Sequence, residues 1–378
     1  MLLVEHDAKT CLSDRGLIVP DGVMVPADRP EPPPFPPPWV LKAQVPAGGR
    51  GKAGGISLIS SEDDLATAAN DIAGLTVGGF PVQALRIEQA IEAQAELYLG
   101  LILAPDTGEV IVMVSTEGGI EVENAQEAVR TRRAAATPAA LHAALSDLAR
   151  DLPAQPGRAM MEAGVVLIDA FFALDATMIE VNPLFLLPGG EWVAGDLRLD
   201  LDLNALPRQP GLAALIEARP EIYADAAFKH RHGYDLVILD PAGEIGLVAT
   251  GAGLSMQLID EMARRELVPY NFCDIRSGMM RRDPTRLVEN LRVLAKGADL
   301  RCVLVNIFAG ITELGEFARL LLEALDAVPE LTLPFVVRLV GNGEAEADAI
   351  LRAANRPRLT LERDLDRALD LCAEAAHA

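Results

Sequence analysis

The chain has 378 residues, enough at roughly 150 residues per domain for two or three domains and a sizeable core. Half the residues are hydrophobic and 23% are charged, which excludes wholesale disorder. With 33 Lys plus Arg against 55 Asp plus Glu the net charge is −22, repelling phosphate backbones and anionic membrane faces, so neither nucleic acid nor a membrane is an expected partner. No run of about 18 apolar residues suggests a membrane span. Glu5, Asp7 and Asp14 argue against a secretory leader. Cys11, Cys273, Cys302 and Cys372 lie far apart without metal-ligand spacing, as suits a reduced, cytoplasmic protein.

In chain order, the prolines crowded between residues 30 and 38 fix φ and remove N–H donors, so this stretch reads as a polyproline-like connector. A short strand over 40–45 runs into Gly48-Gly49-Arg50-Gly51-Lys52-Ala53-Gly54-Gly55, a very flexible loop by composition. Ser60 or Ser61 is placed to cap a helix opening on Glu62, Asp63 and Asp64. Strands are expected over 84–88, 97–103 and 110–115, helices over about 124–150 and 159–174, and a hairpin from 178–186 through Pro188-Gly189-Gly190 to Trp192. A compositional break near 205–232 divides the chain into domains 1–231 and 232–378. Beyond it, apolar strands at 236–239, 245–250, 302–308 and 334–339 alternate with helices at 254–265, from Asp283-Pro284, from about Thr312 and from about Glu344. That alternation predicts a parallel sheet covered on both faces, an α/β fold.

Four places carry candidate chemistry. In the glycine loop, backbone N–H groups can approach phosphate while Lys42, Arg50 and Lys52 supply countercharge; a mobile surface loop is the plainer alternative. Glu180 and Asn182 stand two apart on one strand and share a face, and a hairpin partner carrying Asp196 brings a third oxygen donor, a set that suits Mg²⁺ or simply a polar hairpin edge. Glu88 and Glu96 flank a short connector and are either acceptors for a ribose or adenine group or merely solvated acids. Thr250-Gly251-Ala252-Gly253 and Ala309-Gly310-Ile311-Thr312 each end a strand before a helix, where anions bind, although tight turns alone also explain them. None of the five histidines has metal-ligand spacing.

Taken in order, Leu41-Lys42-Ala43-Gln44-Val45 with the glycine loop, Glu96-Leu97-Tyr98-Leu99-Gly100, Ser115-Thr116-Glu117-Gly118-Gly119, Glu180-Val181-Asn182-Pro183, Gly251-Ala252-Gly253, Asn271-Phe272-Cys273-Asp274 and residues 303–311 resemble the β subunit of succinyl-CoA synthetase over nearly the whole chain. The resemblance implies an N-terminal ATP-grasp domain and a flavodoxin-like CoA-ligase domain. It also implies a partner α subunit that carries a phosphohistidine and the CoA site, and an NDP-forming ligation of a small carboxylic acid to CoA with Mg²⁺ and ATP or GTP. By position, Lys42, Gly49, Arg50, Gly51, Glu88 and Glu96 would contact nucleotide. Asn182 and Asp196 would hold Mg²⁺, Glu180 would face the phosphohistidine, and Thr250, Gly310, Ile311 and Thr312 would bind the carboxylate. The chain departs from the family where Thr250 replaces an Asn and Arg276-Ser277-Gly278 replaces three glycines. These changes open two alternatives: a ligase for another acid such as malate, or a non-catalytic, regulatory relative.

Overall fold

The N-terminal residues Glu5–Ser13 form a helix, α1, that composition did not announce. A computed structural model describes residues 1–119 and 129–377. The chain divides into two units, Met1–Leu215 and Ile216–Ala378.

In the first unit β1 (Gly22–Pro26) pairs antiparallel with β6 (Ala84–Gln89), which pairs with β2 (Trp39–Ala43) and, through it, with β3 (Ile56–Ile59), giving the order β1-β6-β2-β3. Alternation places Trp39 and Leu41 with Leu85 and Ile87 on the inward side. There they meet Leu65, Ala69 and Ile72 of α2 (Leu65–Ala73), each large side chain contributing roughly 1.5–3 kcal/mol by burial. Ser61 does act as a cap, accepting from the Asp63 N–H at 3.1 Å, but for a single 3-10 turn that precedes α2. A two-residue pair, β4 (Thr76–Val77) and β5 (Phe80–Pro81), follows. Residues 30–38 form neither helix nor strand, in line with a connector; the Trp39 indole donates back to the Phe35 carbonyl at 3.0 Å.

A second antiparallel sheet is built from β7 (Ala95–Ala104), β8 (Glu109–Ser115), β9 (Arg130–Ala135), β10 (Ala176–Leu186), β11 (Trp192–Ala194) and β12 (Leu197–Leu201), with β10 pairing both β11 and β12. The expected hairpin is therefore present, Leu184 opposite Ala194. The helix expected over 124–150 needs correction. Its start lies partly outside the described residues, and residues 130–135 form the edge strand β9, because β8 offers a free ladder that outweighs local helix preference. Arg130, Arg132 and Arg133 guard that edge against further pairing. The helix α3 (Pro138–Arg150) begins only where Thr137 accepts from the Ala140 N–H and Pro138 takes the first turn. Together with α4 (Ala154–Ala173) it covers the sheet. At the division lies α5 (Pro210–Ala218).

The second unit opens with α6 (Ala224–His232) and β13 (Asp235–Ile238), which pairs antiparallel with β15 (Asn271–Asp274). Its main sheet is parallel, in the order β14 (Ile245–Ala249), β16 (Cys302–Ala309), β17 (Phe335–Gly341), β18 (Leu359–Leu361). Alternate strand residues point to opposite faces. Leu247, Cys302, Leu304 and Val336 pack with α7 (Ala252–Arg264) and α11 (Leu365–Ala376). Val303, Val305, Val337 and Leu339 pack with α8 (Thr285–Leu294), α9 (Leu314–Ala327) and α10 (Glu344–Ala353). The parallel sheet covered on both faces is thus as the apolar strands predict, except that the strand expected at 236–239 lies outside it, paired antiparallel with β15. The Asp-Pro start is shifted by one residue: Pro284 is the cap, and the Asp283 carboxylate accepts from the Thr285 N–H at 2.9 Å.

Candidate active site

The loop after β2 is less free than its glycines suggest. The Ala53 N–H donates to Gly49 O, Gly54 N–H to Gly51 O and Gly55 N–H to Arg50 O, while the Ala43 N–H donates to Gly55 O. Gly49 sits at φ +77, where a side chain is strained, and a Cβ on Gly55 would press on Ala43 and on the Arg50 carbonyl. The amides of Gly49, Arg50 and Gly51 are not spent inside this turn.

Opposite the loop stands the β10–β12 hairpin. Its bend is pinned by the Asn182 N–H donating to Asp196 O at 3.1 Å and the Gly195 N–H to Pro183 O at 2.9 Å. Loop and hairpin enclose a cavity of about 380 Å³, lined among others by Gly49, Arg50, Gly51, Glu180, Asn182 and Asp196. Six of the expected residues therefore meet in one place. Arg50 spans it, donating to Asp196 Oδ1 at 2.5 Å and to Glu5 Oε2 at 2.7 Å. Asn182 Oδ1 accepts from the Gly119 N–H at 2.6 Å, and its amide donates to Gly119 O at 3.2 Å. Glu180 pairs with Arg198 at 3.1 Å, the residue directly across the ladder.

The electrostatics of these carboxylates differ. Burial raises the Glu180 carboxyl above its ordinary value, and the charge of Asp196 adds to this, against the pull of Arg198 and the Tyr98 hydroxyl. Burial also raises Asp196, with the Glu5 charge in support and Arg50 opposing. Glu5 behaves in the opposite way: although burial pushes it up, Lys42, Lys9 and Arg50 hold it well below the usual carboxylate range.

Lys42 and Glu88, expected at the nucleotide, do not line the cavity. Both are buried behind it. Lys42 Nζ reaches Glu5 at 2.9 Å, Glu88 at 2.5 Å and Gly195 O at 2.7 Å, and Glu88 also pairs with Lys9 at 2.6 Å and Arg86 at 2.7 Å. A buried charge without a partner is costly, and these residues satisfy one another. Glu96 is exposed on β7 and does not line the cavity either, but its carboxylate stands against Gly119, at the rim. Sequence reasoning missed Glu5, Lys9, Arg86 and Arg198. The four-residue spacing of Glu5 and Lys9 was the available signal for a helix pair; for Arg86 nothing in the local pattern pointed to the site.

Thr250, Gly310, Ile311 and Thr312 also come together, in a groove of about 310 Å³ in the second unit. Ser277, the family departure, links them: its Oγ donates to Thr250 Oγ1 at 3.2 Å and lies 2.8 Å from Thr312 Oγ1. Arg276 turns its guanidinium away to Asp235 at 2.9 Å. Among the described residues no group of three His, Cys, Asp or Glu side chains forms a metal cluster. The oxygen donors of the first cavity are nonetheless the hard type Mg²⁺ takes, and a carboxylate and an amide carbonyl keep lone pairs beyond those used here. No helix of the described residues is long and apolar enough to cross a membrane.

An anion-receptive loop facing an acidic hairpin, followed by a parallel α/β unit, places the chain among ATP-grasp proteins joined to a CoA-ligase domain. Residues 2–186 match the ATP-grasp domain family model and residues 248–364 the CoA-ligase model. The chain is 33% identical to the ADP-forming succinate–CoA ligase β subunit of Halorubrum lacusprofundi, over 98% of this chain and 97% of that one. It is 35% identical to the GDP-forming β subunit of Thermus thermophilus, over 93% of each. The chain belongs to the succinate–CoA ligase β-subunit family, a family of ligases. The ATP citrate lyase of Methanothrix soehngenii, solved with citrate and coenzyme A, shares the fold with TM-score 0.74 over 99% of both chains at 17% identity.

Proposed function

We propose that this chain is the nucleotide-gripping β subunit of an NDP-forming carboxylate–CoA ligase, acting in the cytoplasm with an α subunit that carries the phosphohistidine and the CoA site. One observation carries the reading: the glycine loop with Arg50 and the hairpin with Glu180, Asn182 and Asp196 line a single cavity. The amides of Gly49, Arg50 and Gly51, which have no acceptor among the described residues, and the Arg50 guanidinium bind the phosphates of ATP or GTP. Glu96 at the rim meets the nucleoside end. Asn182 and Asp196 hold Mg²⁺, which when bound neutralises phosphate charge. Glu180, facing the same cavity, orients the incoming histidine. Lys42 and Glu88 act from behind, fixing the position of Arg50 through Glu5. In the second unit the groove built around Thr250, Ser277 and Thr312 receives a small carboxylate such as succinate.

The test is co-expression with an α-type subunit and a screen of small acids for CoA-dependent release of ADP or GDP. Turnover with at least one acid is expected. A stable complex that turns over none of them would overturn the reading.

A further inference from the structure

Three non-glycine residues take left-handed backbone conformations in the turn after β15: Arg276 at φ +51, Arg281 at +45 and Arg282 at +62. Arg276 is anchored to Asp235 and Arg282 lies 4.0 Å from Glu316. Arg281 has no carboxylate partner among the described residues. It lines a second hollow, of about 230 Å³, that shares Ser277, Gly278, Ile311 and Thr312 with the groove containing Thr250. Two acids also line this hollow. Glu313 spends its oxygens on the Gly315 and Glu316 N–H groups, and Glu316 faces Arg282.

Counting hydroxyl protons shows what the groove offers. Ser277 donates to Thr250, so Thr312 donates to Ser277, and the Thr250 proton is left for an acceptor outside the cluster. A free hydroxyl donor thus stands on one side of the Ser277–Thr312 ridge and an unpaired guanidinium on the other.

Resting on the ligase reading, we propose that Arg281, in the hollow adjoining this groove, is the specificity-determining residue for the acid: its guanidinium takes the second carboxylate of a short dicarboxylic acid whose first carboxylate lies at the Thr250 hydroxyl. Arg presents a planar fork matched to a carboxylate, and a strained residue exposed at a cavity mouth serves recognition and not packing.

The experiment is calorimetric titration of the full chain with succinate, and with butyrate as the same-length acid lacking the second carboxylate, for wild type, R281Q and R281G. Wild type is expected to prefer succinate by about tenfold or more, the usual reach of a charge-assisted bond. Both variants lose that preference with butyrate binding unchanged. R281G also melts higher than wild type, since glycine accepts φ +45 freely, so stability rises while succinate affinity falls, a split that a merely structural role does not produce. Equal wild-type affinity for the two acids, or wild-type succinate affinity in R281Q, would overturn the proposal. A wild type that prefers succinate yet binds no ATP would uphold Arg281 and sink the ligase reading.

Discussion

Asp196 stands between two kinds of partner. Arg50 holds it at 2.5 Å, and on the proposed reading a bound magnesium nucleotide would exchange this Arg–Asp pair for an Arg–phosphate and an Asp–metal contact. Both exchanged contacts are charge-assisted, which keeps the swap near balance. Glu180 titrates above the ordinary glutamate value because it is buried beside Asp196. A raised carboxyl stays protonated to higher pH. Phosphoryl transfer to the partner histidine should therefore fall as pH drops through a value above about 4.3, the free Glu value. In Glu180→Gln this acid limb should vanish and the rate should drop by about 10²–10⁴, the range for a positioned acid–base group. Stopped-flow phosphorylation across pH checks it; an unchanged limb in the variant would remove Glu180 from the chemistry.

At the scale of elements, α1 works as a plug of charge beneath the cavity. Glu5, on its first turn, joins Lys9, Lys42 and Arg50 in one buried network. Removing one member of such a network leaves its partners uncompensated, so Glu5→Gln should cost about 3–5 kcal/mol of stability, read by denaturant unfolding. The pH dependence follows in sign. Glu5 titrates lower in the folded chain than in the unfolded one, so its contribution is fully present above the unfolded value, near 4.3, and is lost as pH falls through the depressed folded value. Glu5→Gln should flatten the acid unfolding limb, and a variant as acid-sensitive as wild type would place the stabilisation elsewhere. Beyond the four-residue spacing of Glu5 and Lys9, this network was not legible beforehand, since Glu5, Lys42, Glu88 and Asp196 are brought together only by tertiary folding. The hairpin was legible, because strand alternation and Pro188-Gly189-Gly190 are local signals. The β9 strand was not, because its ladder partner outweighs its own sequence.

For the whole molecule, the second unit was the more readable half. Its continuous apolar strands report burial on both faces directly, and Val303, Val305 and Leu304 fall to opposite sides of the sheet as the pattern requires. In the first unit the motifs singled out residues but not their depth: Arg50 and Asp196 reach the cavity while Lys42 and Glu88 stop behind it. The claim on which everything turns is that loop and hairpin together bind a magnesium nucleotide. Titrating Mg-ATP into the full chain tests it most directly. The account predicts one site with Kd on the order of micromolar, weakened about tenfold or more in both Asn182→Ala and Asp196→Ala; no heat of binding in wild type, or equal affinity in both variants, would contradict it.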